Sequence, residues 1–342
     1  MRRSSDFQRF TVTGLMALTL GIVSAPGAGA AELALSDAPL FVDLNVAPNV
    51  VVTLDDSGSM RRCGIWDQGI AEADIEDKHG MTASDVNQLA YNPNIEYVVP
   101  VDANNVSLGV PSFTSAWLDG YDQAGSTRNL STEFAPCWSS LTNFRTTPLA
   151  AQAAYYHVFS GDPQNSADLN NPALFDKIVV GSGSDTGSFG TTAAEKQQNF
   201  ANWFSYYRNR LTTMKSSAGR GFTAGNLENR IRIAYQTLWG LNADETNRGD
   251  ISLTKAFEGL GRTDFFNWLY GIQNTGGTPL RYALDKVGRY FQNEKIASTS
   301  AGHGYTNMDA ENSPWAFVPG QTQNPELSCR QAFHVQIGRA HV

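Results

Sequence analysis

Three valines in succession, Val50, Val51 and Val52, sit inside the stretch "NVVVTLDDSGSM" (49–60) with no polar residue between them. A β-branched run that does not alternate predicts a strand covered on both faces, as in the middle of a parallel sheet. Upstream, the apolar-rich segment from residue 38 reads as extended chain leading into it. Residues 61–190 show no sustained period. Turn signals such as "YNPN", "GVPS", "DGYD" and "SGDP" punctuate scattered aromatics there, which predicts an irregular insertion ordered by its aromatic side chains. A period of three and four returns in "TAAEKQQNFANWFSYYRNRLTTMKSSAG" (192–219), where Phe200, Trp203, Tyr207, Leu211 and Met214 share one face. Thr192 and Glu195 form a capping box at its start, and Gly219 is the predicted stop.

Further along, "NRIRIAYQTL" (229–238) sets Ile231, Ile233 and Tyr235 against Arg230, Arg232 and Ala234, a strand with one wetter face. "RTDFFNWLYGI" (262–272) reads as a helix. "NTGGTPLRYALDKVGRYF" (274–291) is a Gly-rich loop opening into another, with Thr278 at the N-cap and Pro279 at the first helical position. Leu280, Leu284, Val287 and Phe291 are the expected buried stripe. "AFHVQI" (332–337) alternates as a last strand. The succession strand, helix, strand, helix, helix, strand predicts an α/β fold: a doubly wound, mostly parallel sheet flanked by helices, with a long insertion after the first strand. Such sheets carry their sites at the carboxyl ends of strands.

Composition narrows the setting. Of 342 residues, 41% are hydrophobic and only 17% charged, with seven Trp, twelve Tyr and eighteen Phe to fill a core. Arg2, Arg3 and Arg9 precede the apolar stretch 11–25, and small residues follow at 28–30, so residues 1–30 read as a signal peptide. No later segment reads as transmembrane. Its removal takes away three arginines and one aspartate, moving the formal charge from −8 to −10. An acidic chain without Lys/Arg clusters is a poor partner for nucleic acid. Cys63, Cys137 and Cys329 allow one disulfide in an exported protein, with three possible pairings.

The chemistry lies where the first strand ends. Asp55, Ser57 and Ser59 recur at every second residue, so one turn can aim three side-chain oxygens at a point. Oxygen-only ligands suit a hard divalent cation: Mg²⁺ or Mn²⁺ if octahedral, Ca²⁺ if held more loosely. Thr278 could add a hydroxyl from the "GGTPL" loop. Neutral hydroxyls leave much of the ion's charge uncompensated, so a vacant position attracts a partner's carboxylate. A hydrolytic site would want a general base, and none is supplied.

The pairing of "DDSGS" (55–59) with "GGTPL" (276–280) resembles a von Willebrand factor type A domain and its metal-ion-dependent adhesion site. With "YNPNIEY" (91–97), "NFANWFSYYRNRL" (199–211) and "CRQAF" (329–333), the chain resembles the N-terminal region of PilY-type type IV pilus proteins across most of residues 38–333. The resemblance implies residues 31–342 as a von Willebrand A-like domain, with Asp55, Ser57, Ser59 and Thr278 as metal ligands. It implies an exported pilus-biogenesis factor and tip adhesin at the periplasm, outer membrane or cell surface. Its partners would be minor pilins, or a host or abiotic surface ligand with an acidic group. Two departures stand out. The family's last strand runs into Thr-Asp-Gly, whose Asp completes the metal shell, whereas Gly338 and Arg339 occupy that place here. That departure predicts a truncated or misassembled end, and the family's C-terminal β-propeller, with its calcium site, is absent from these 342 residues.

Rival readings are weaker. "DSGS" (56–59) and "DTGS" (185–188) mimic the two Asp-Ser/Thr-Gly motifs of an aspartic protease, which would pair Asp56 with Asp185. Asp185 follows "GSGS" rather than an apolar strand, and the helix content is too high for that fold. No Gly-x-Ser-x-Gly occurs, and the five histidines show no catalytic or ligand spacing and read as surface or loop residues. "DIEDKHG" (74–80) reads as a solvated loop because Lys78 stands at a calcium-ligand position. Asp56 reads as exposed or bonded locally. The alternative within the same fold is a structural pilus-assembly module with a vestigial metal site.

Overall fold

The computed structural model describes residues 47–66, 70–71, 74, 78–136, 152–224, 227–239, 251–252, 255–274, 276–292, 314 and 330–338. All lie in one compact unit, Leu44–Val342. The signal-peptide reading, Cys137, Cys329 and Arg339 fall outside them.

Four strands form the main sheet: β1 (Asn49–Leu54), β6 (Arg232–Thr237), β7 (Lys255–Ala256) and β8 (Ala332–Ile337), in the order β7-β6-β1-β8. β1 runs parallel to both β6 and β8, and β7 closes one edge antiparallel. The valine run is therefore central, as its lack of alternation requires. Val52 and Leu54 point to one face, where they meet Ile233, helix α3 (Arg210–Ala224) through Leu211 and Met214, and helix α4 (Gly259–Gly271) through Phe265 and Leu269. Val51 points to the other, against Ala234 and helix α5 (Leu280–Phe291) through Val287 and Tyr290. A polar band crosses this second face: Thr53 Oγ1 lies 3.0 Å from Gln236 Nε2, which donates to it, and 2.8 Å from His334 Nε2. Helices thus cover both faces of the sheet at β1 and β6, whereas Phe333, Val335 and Ile337 of β8 stay exposed.

Between β1 and helix α2 (Ala193–Tyr206) lie two antiparallel ribbons and turns. The ribbons are β2 (Ala116–Trp117) with β3 (Thr127–Arg128), and β4 (Tyr155–Phe159) with β5 (Phe175–Val179); a short helix, α1 (Ser166–Leu169), separates β4 from β5. The aromatic face of α2 packs on this segment rather than on the sheet. Tyr91, Tyr97, Phe134, Tyr156, Phe200 and Trp203 form one buried cluster, with the Tyr91 and Phe200 rings 4.7 Å apart. Its polar atoms are satisfied by the loop backbone: Trp203 Nε1 donates to the Leu89 carbonyl, and Asn199 accepts from the Tyr97 N–H and donates to the Ile95 carbonyl. Cys63 is disulfide-bonded, which excludes the Cys137–Cys329 pairing. Asn170, at the end of α1, donates to the carboxylate of Asp74 in the loop before β2 and holds it below its ordinary range.

Four expectations are corrected. The 192–219 helix is two helices, because Asn209 caps a new one: its Oδ1 accepts from the Thr212 N–H at 2.8 Å, ending α2 and starting α3, which runs past Gly219. β6 has no wet face; Arg232 is buried and donates to the Pro314 carbonyl, since β6 lies between β1 and β7 with helices on either side. The buried stripe of α5 is Ala283, Lys286, Val287 and Tyr290, whereas Leu280 and Leu284 are 39% and 56% exposed. The helix is turned so that Gln236 of β6 can donate to the Ala283 carbonyl. Finally, α5 begins at Leu280 with Pro279, not Thr278, at its N-cap.

Candidate functional site

β1, β6 and β8 are parallel, so their carboxyl ends lie side by side, and four backbone segments converge there. The loop 55–59 continues β1. Asp55 N–H donates to the Ile337 carbonyl at the end of β8, and Leu238 N–H donates to the Leu54 carbonyl from the end of β6. The fourth segment is the Gly-rich loop before α5: Ser57 bridges to Gly276, with Gly58 N–H donating to the Gly276 carbonyl at 2.9 Å. Arg61 donates to the Asn274 carbonyl and so ties the same two loops a second time.

Within this frame the oxygen atoms are close together. Asp55 and Ser57 are buried, and Asp55 Oδ1 accepts the Ser57 N–H at 2.8 Å, which turns the chain sharply after β1. Ser57 Oγ and Ser59 Oγ lie 3.1 Å apart. Asp55, Ser57 and Ser59 are therefore brought together. Thr278 is half-buried on the loop that Gly58 holds two residues earlier. One buried carboxylate and alcohols make an all-oxygen set of the kind a hard divalent cation accepts. Among the described residues no three His, Cys, Asp or Glu side chains cluster.

Three residues that sequence reasoning missed or misplaced shape the site. Asp56 is buried and accepts the Trp239 N–H at 2.8 Å, clamping the end of β6 to the loop. Trp239 in turn backs the Gly-rich loop: a Cβ at Gly276 would fall 1.9 Å from its Cγ. Arg210, buried at the first position of α3, donates through Nη1 to the Ser59 carbonyl at 3.2 Å and through Nε to the Gly64 carbonyl at 2.8 Å. No local pattern announces these roles, because each partner is remote in sequence. Gly338 lies beside Asp55; Arg339, which stands at the place of the family's Asp, falls outside the described residues.

The protease pairing of Asp56 with Asp185 is not formed. Asp185 accepts from the Tyr156 hydroxyl and the Gly181 and Gly187 N–H groups and lies beside Lys196, all in the insertion and α2. Nor are the histidines all superficial. His157 is buried, its ring 4.7 Å from that of His79, and His334 bonds to Thr53.

No family model matches the chain, and no solved structure does. Three curated relatives do. The chain is 30% identical over 339 residues to a protein named type IV pilus biogenesis factor PilY1 from Pseudomonas aeruginosa strain PAO1, with 94% of the chain and 26% of the relative covered. The protein of that name from strain PAK is 30% identical with the same coverage. That from strain UCBPP-PA14 is 32% identical over 330 residues, with 93% of the chain and 25% of the relative covered. The chain thus spans about a quarter of the length of these relatives. Among the described residues no helix is long and apolar enough to cross a membrane.

Proposed function

We propose that this chain, a PilY1-type sequence over nearly its whole length, serves type IV pilus biogenesis as an exported, non-enzymatic von Willebrand A-like domain. In this reading it works at the cell surface or pilus tip, binding pilus components or an acidic surface ligand. The relatives' name supports the pilus role. A central parallel β1 whose carboxyl end carries the oxygen cluster supports the fold assignment.

Asp55, Ser57, Ser59 and Thr278 would hold a divalent cation, Mg²⁺ or Mn²⁺ in preference to Ca²⁺. The bound ion would supply an electrophilic position for a partner's carboxylate. The chain's own part is to fix its oxygens. The Ser57 N–H orients the Asp55 carboxylate, and the Gly58 bond to Gly276 holds the Thr278 loop against the serines. That lacing of the two loops is the observation that carries the reading. Calorimetric titration of Mg²⁺ and Mn²⁺ into the full chain tests it. Uptake of one ion, lost in Asp55→Ala with the far-ultraviolet dichroism intact, is the expected result; no uptake by the wild type overturns it.

Two observations favour a second reading: the sequence has Gly338 and Arg339 where the family has Thr and Asp, and the Ser57 and Ser59 hydroxyls bond to each other. A structural assembly module with a vestigial site would have this appearance. It predicts normal surface adhesion but lost piliation when the domain is deleted, and no effect of Asp55→Ala.

A further inference from the structure

Beside the oxygen cluster the protein opens into a cleft of about 490 Å³. Its apolar wall comes from separate segments: Met60 directly follows Ser59, Trp66 lies beyond it, Met214 belongs to α3, and Ile337 ends β8. Two further lining residues belong to the cluster as well. Gly338 rests against Asp55, and Arg210 holds the Ser59 carbonyl. The cleft therefore adjoins the oxygen cluster at Met60 and Gly338. A volume within the roughly 300–1,000 Å³ range of ligand pockets admits a group far larger than a carboxylate. The lining also has a chemical preference. Two thioethers adapt to irregular shapes and make favourable contacts with ring edges, and an indole offers a stacking face. The one charged side chain on the wall, Arg210, is buried and donates to the Ser59 and Gly64 carbonyls, so the wall offers a guest mainly apolar contact.

Resting on the reading that the cluster holds a cation, we propose that this cleft is the second half of the same binding site. It takes a bulky apolar side chain, aromatic by preference, that adjoins the carboxylate captured at the ion. The partner's recognition element is then an acidic residue next to Phe, Tyr, Trp or Leu, and an isolated acidic group engages only half the site. Burying such a side chain gives on the order of ten- to a hundredfold tighter binding than glycine at the same place.

The test uses the full chain and two calorimetric steps. Mg²⁺ is titrated first. With the ion saturating, N-acetylated, C-amidated Asp-Phe and Phe-Asp are then compared with Asp-Gly. At least tenfold tighter binding of one aromatic peptide, with the gain abolished by Ser217→Trp on the exposed rim of the cleft, is the expected result. Mg²⁺ affinity measured on the same variant tells a blocked cleft from a lost ion site. Equal affinities of the aromatic and glycine peptides for the Mg²⁺-loaded wild type overturn the inference while leaving the cation reading standing. An aromatic gain that survives Ser217→Trp also overturns it. Absence of Mg²⁺ uptake in the first step sinks both.

Discussion

Gly338 packs against Asp55 so closely that a Cβ at position 338 would lie 2.6 Å from the Asp55 Cβ and 3.0 Å from its Oδ2. The contact joins the end of β8 to the carboxylate that follows β1, and it follows from the parallel pairing of those strands. Neither backbone can yield freely, because the Asp55 N–H is bonded to the Ile337 carbonyl. Gly338→Ala should therefore cost about 1–3 kcal/mol of stability through overpacking. It should also weaken divalent-cation uptake more than an alanine placed at exposed Ser217 does. Thermal unfolding and calorimetry on the two variants check this.

Gly276 is constrained in the same way by Trp239, whose indole occupies the space where a side chain would begin. Gly276→Ala should push the Gly-rich loop away from Ser57 and Gly58, lowering stability by about 1–3 kcal/mol. Combined with Trp239→Ala, the loss should be smaller than the sum of the single losses, because the second change removes the obstacle. A double-mutant cycle on unfolding free energies measures that coupling.

Arg210 supports the loop from below. Removing its guanidinium leaves the Ser59 and Gly64 carbonyls without a donor they now share. Arg210→Met, similar in length and apolar, should cost about 2–4 kcal/mol. Arg210→Lys should recover only part of this, since one ammonium does not reproduce a planar fork. Urea unfolding of the three proteins gives the comparison.

Two groups give the fold separate acid windows. Burial, then the neighbouring His79 and Lys177, press the His157 pKa from 6.5 to about 4. The unfolded chain takes up that proton first, so stability present above pH 6.5 is lost as pH falls towards 4. Glu195 is opposite in charge type. Its carboxylate accepts the Thr192 and Thr191 N–H groups and is held down at about 2, so its contribution is complete above pH 4.5 and fades between 4.5 and 2. The melting temperature should thus decline in two stages. His157→Gln should flatten the upper stage and Glu195→Gln the lower; a single stage unchanged by either variant contradicts the assignment.

What consecutive residues can encode was legible in the sequence. The valine run announced a strand covered on both faces, Thr192 and Glu195 announced a helix start, and Asp55, Ser57 and Ser59 announced oxygens converging within one turn. These are properties of a few neighbouring side chains and the local backbone period. The break at Asn209 had a local signal too, in its spacing to Thr212, but the aromatic stripe running across it concealed the stop. The facing of α5 was not local. Leu280 and Leu284 were apolar at the right spacing, yet Gln236 on β6 decides which side of the helix meets the sheet.

The surroundings of the oxygen cluster belong to the tertiary structure alone. Asp56 meeting Trp239, Gly338 meeting Asp55, Arg210 reaching Ser59, and the cleft beside them all depend on β1 lying between β6 and β8. Parallel pairing sets distant strand ends side by side, and no short window of sequence contains both partners of such a contact. The sequence therefore determined which atoms the first strand would present, and the order of strands in the sheet decided what they would be presented with.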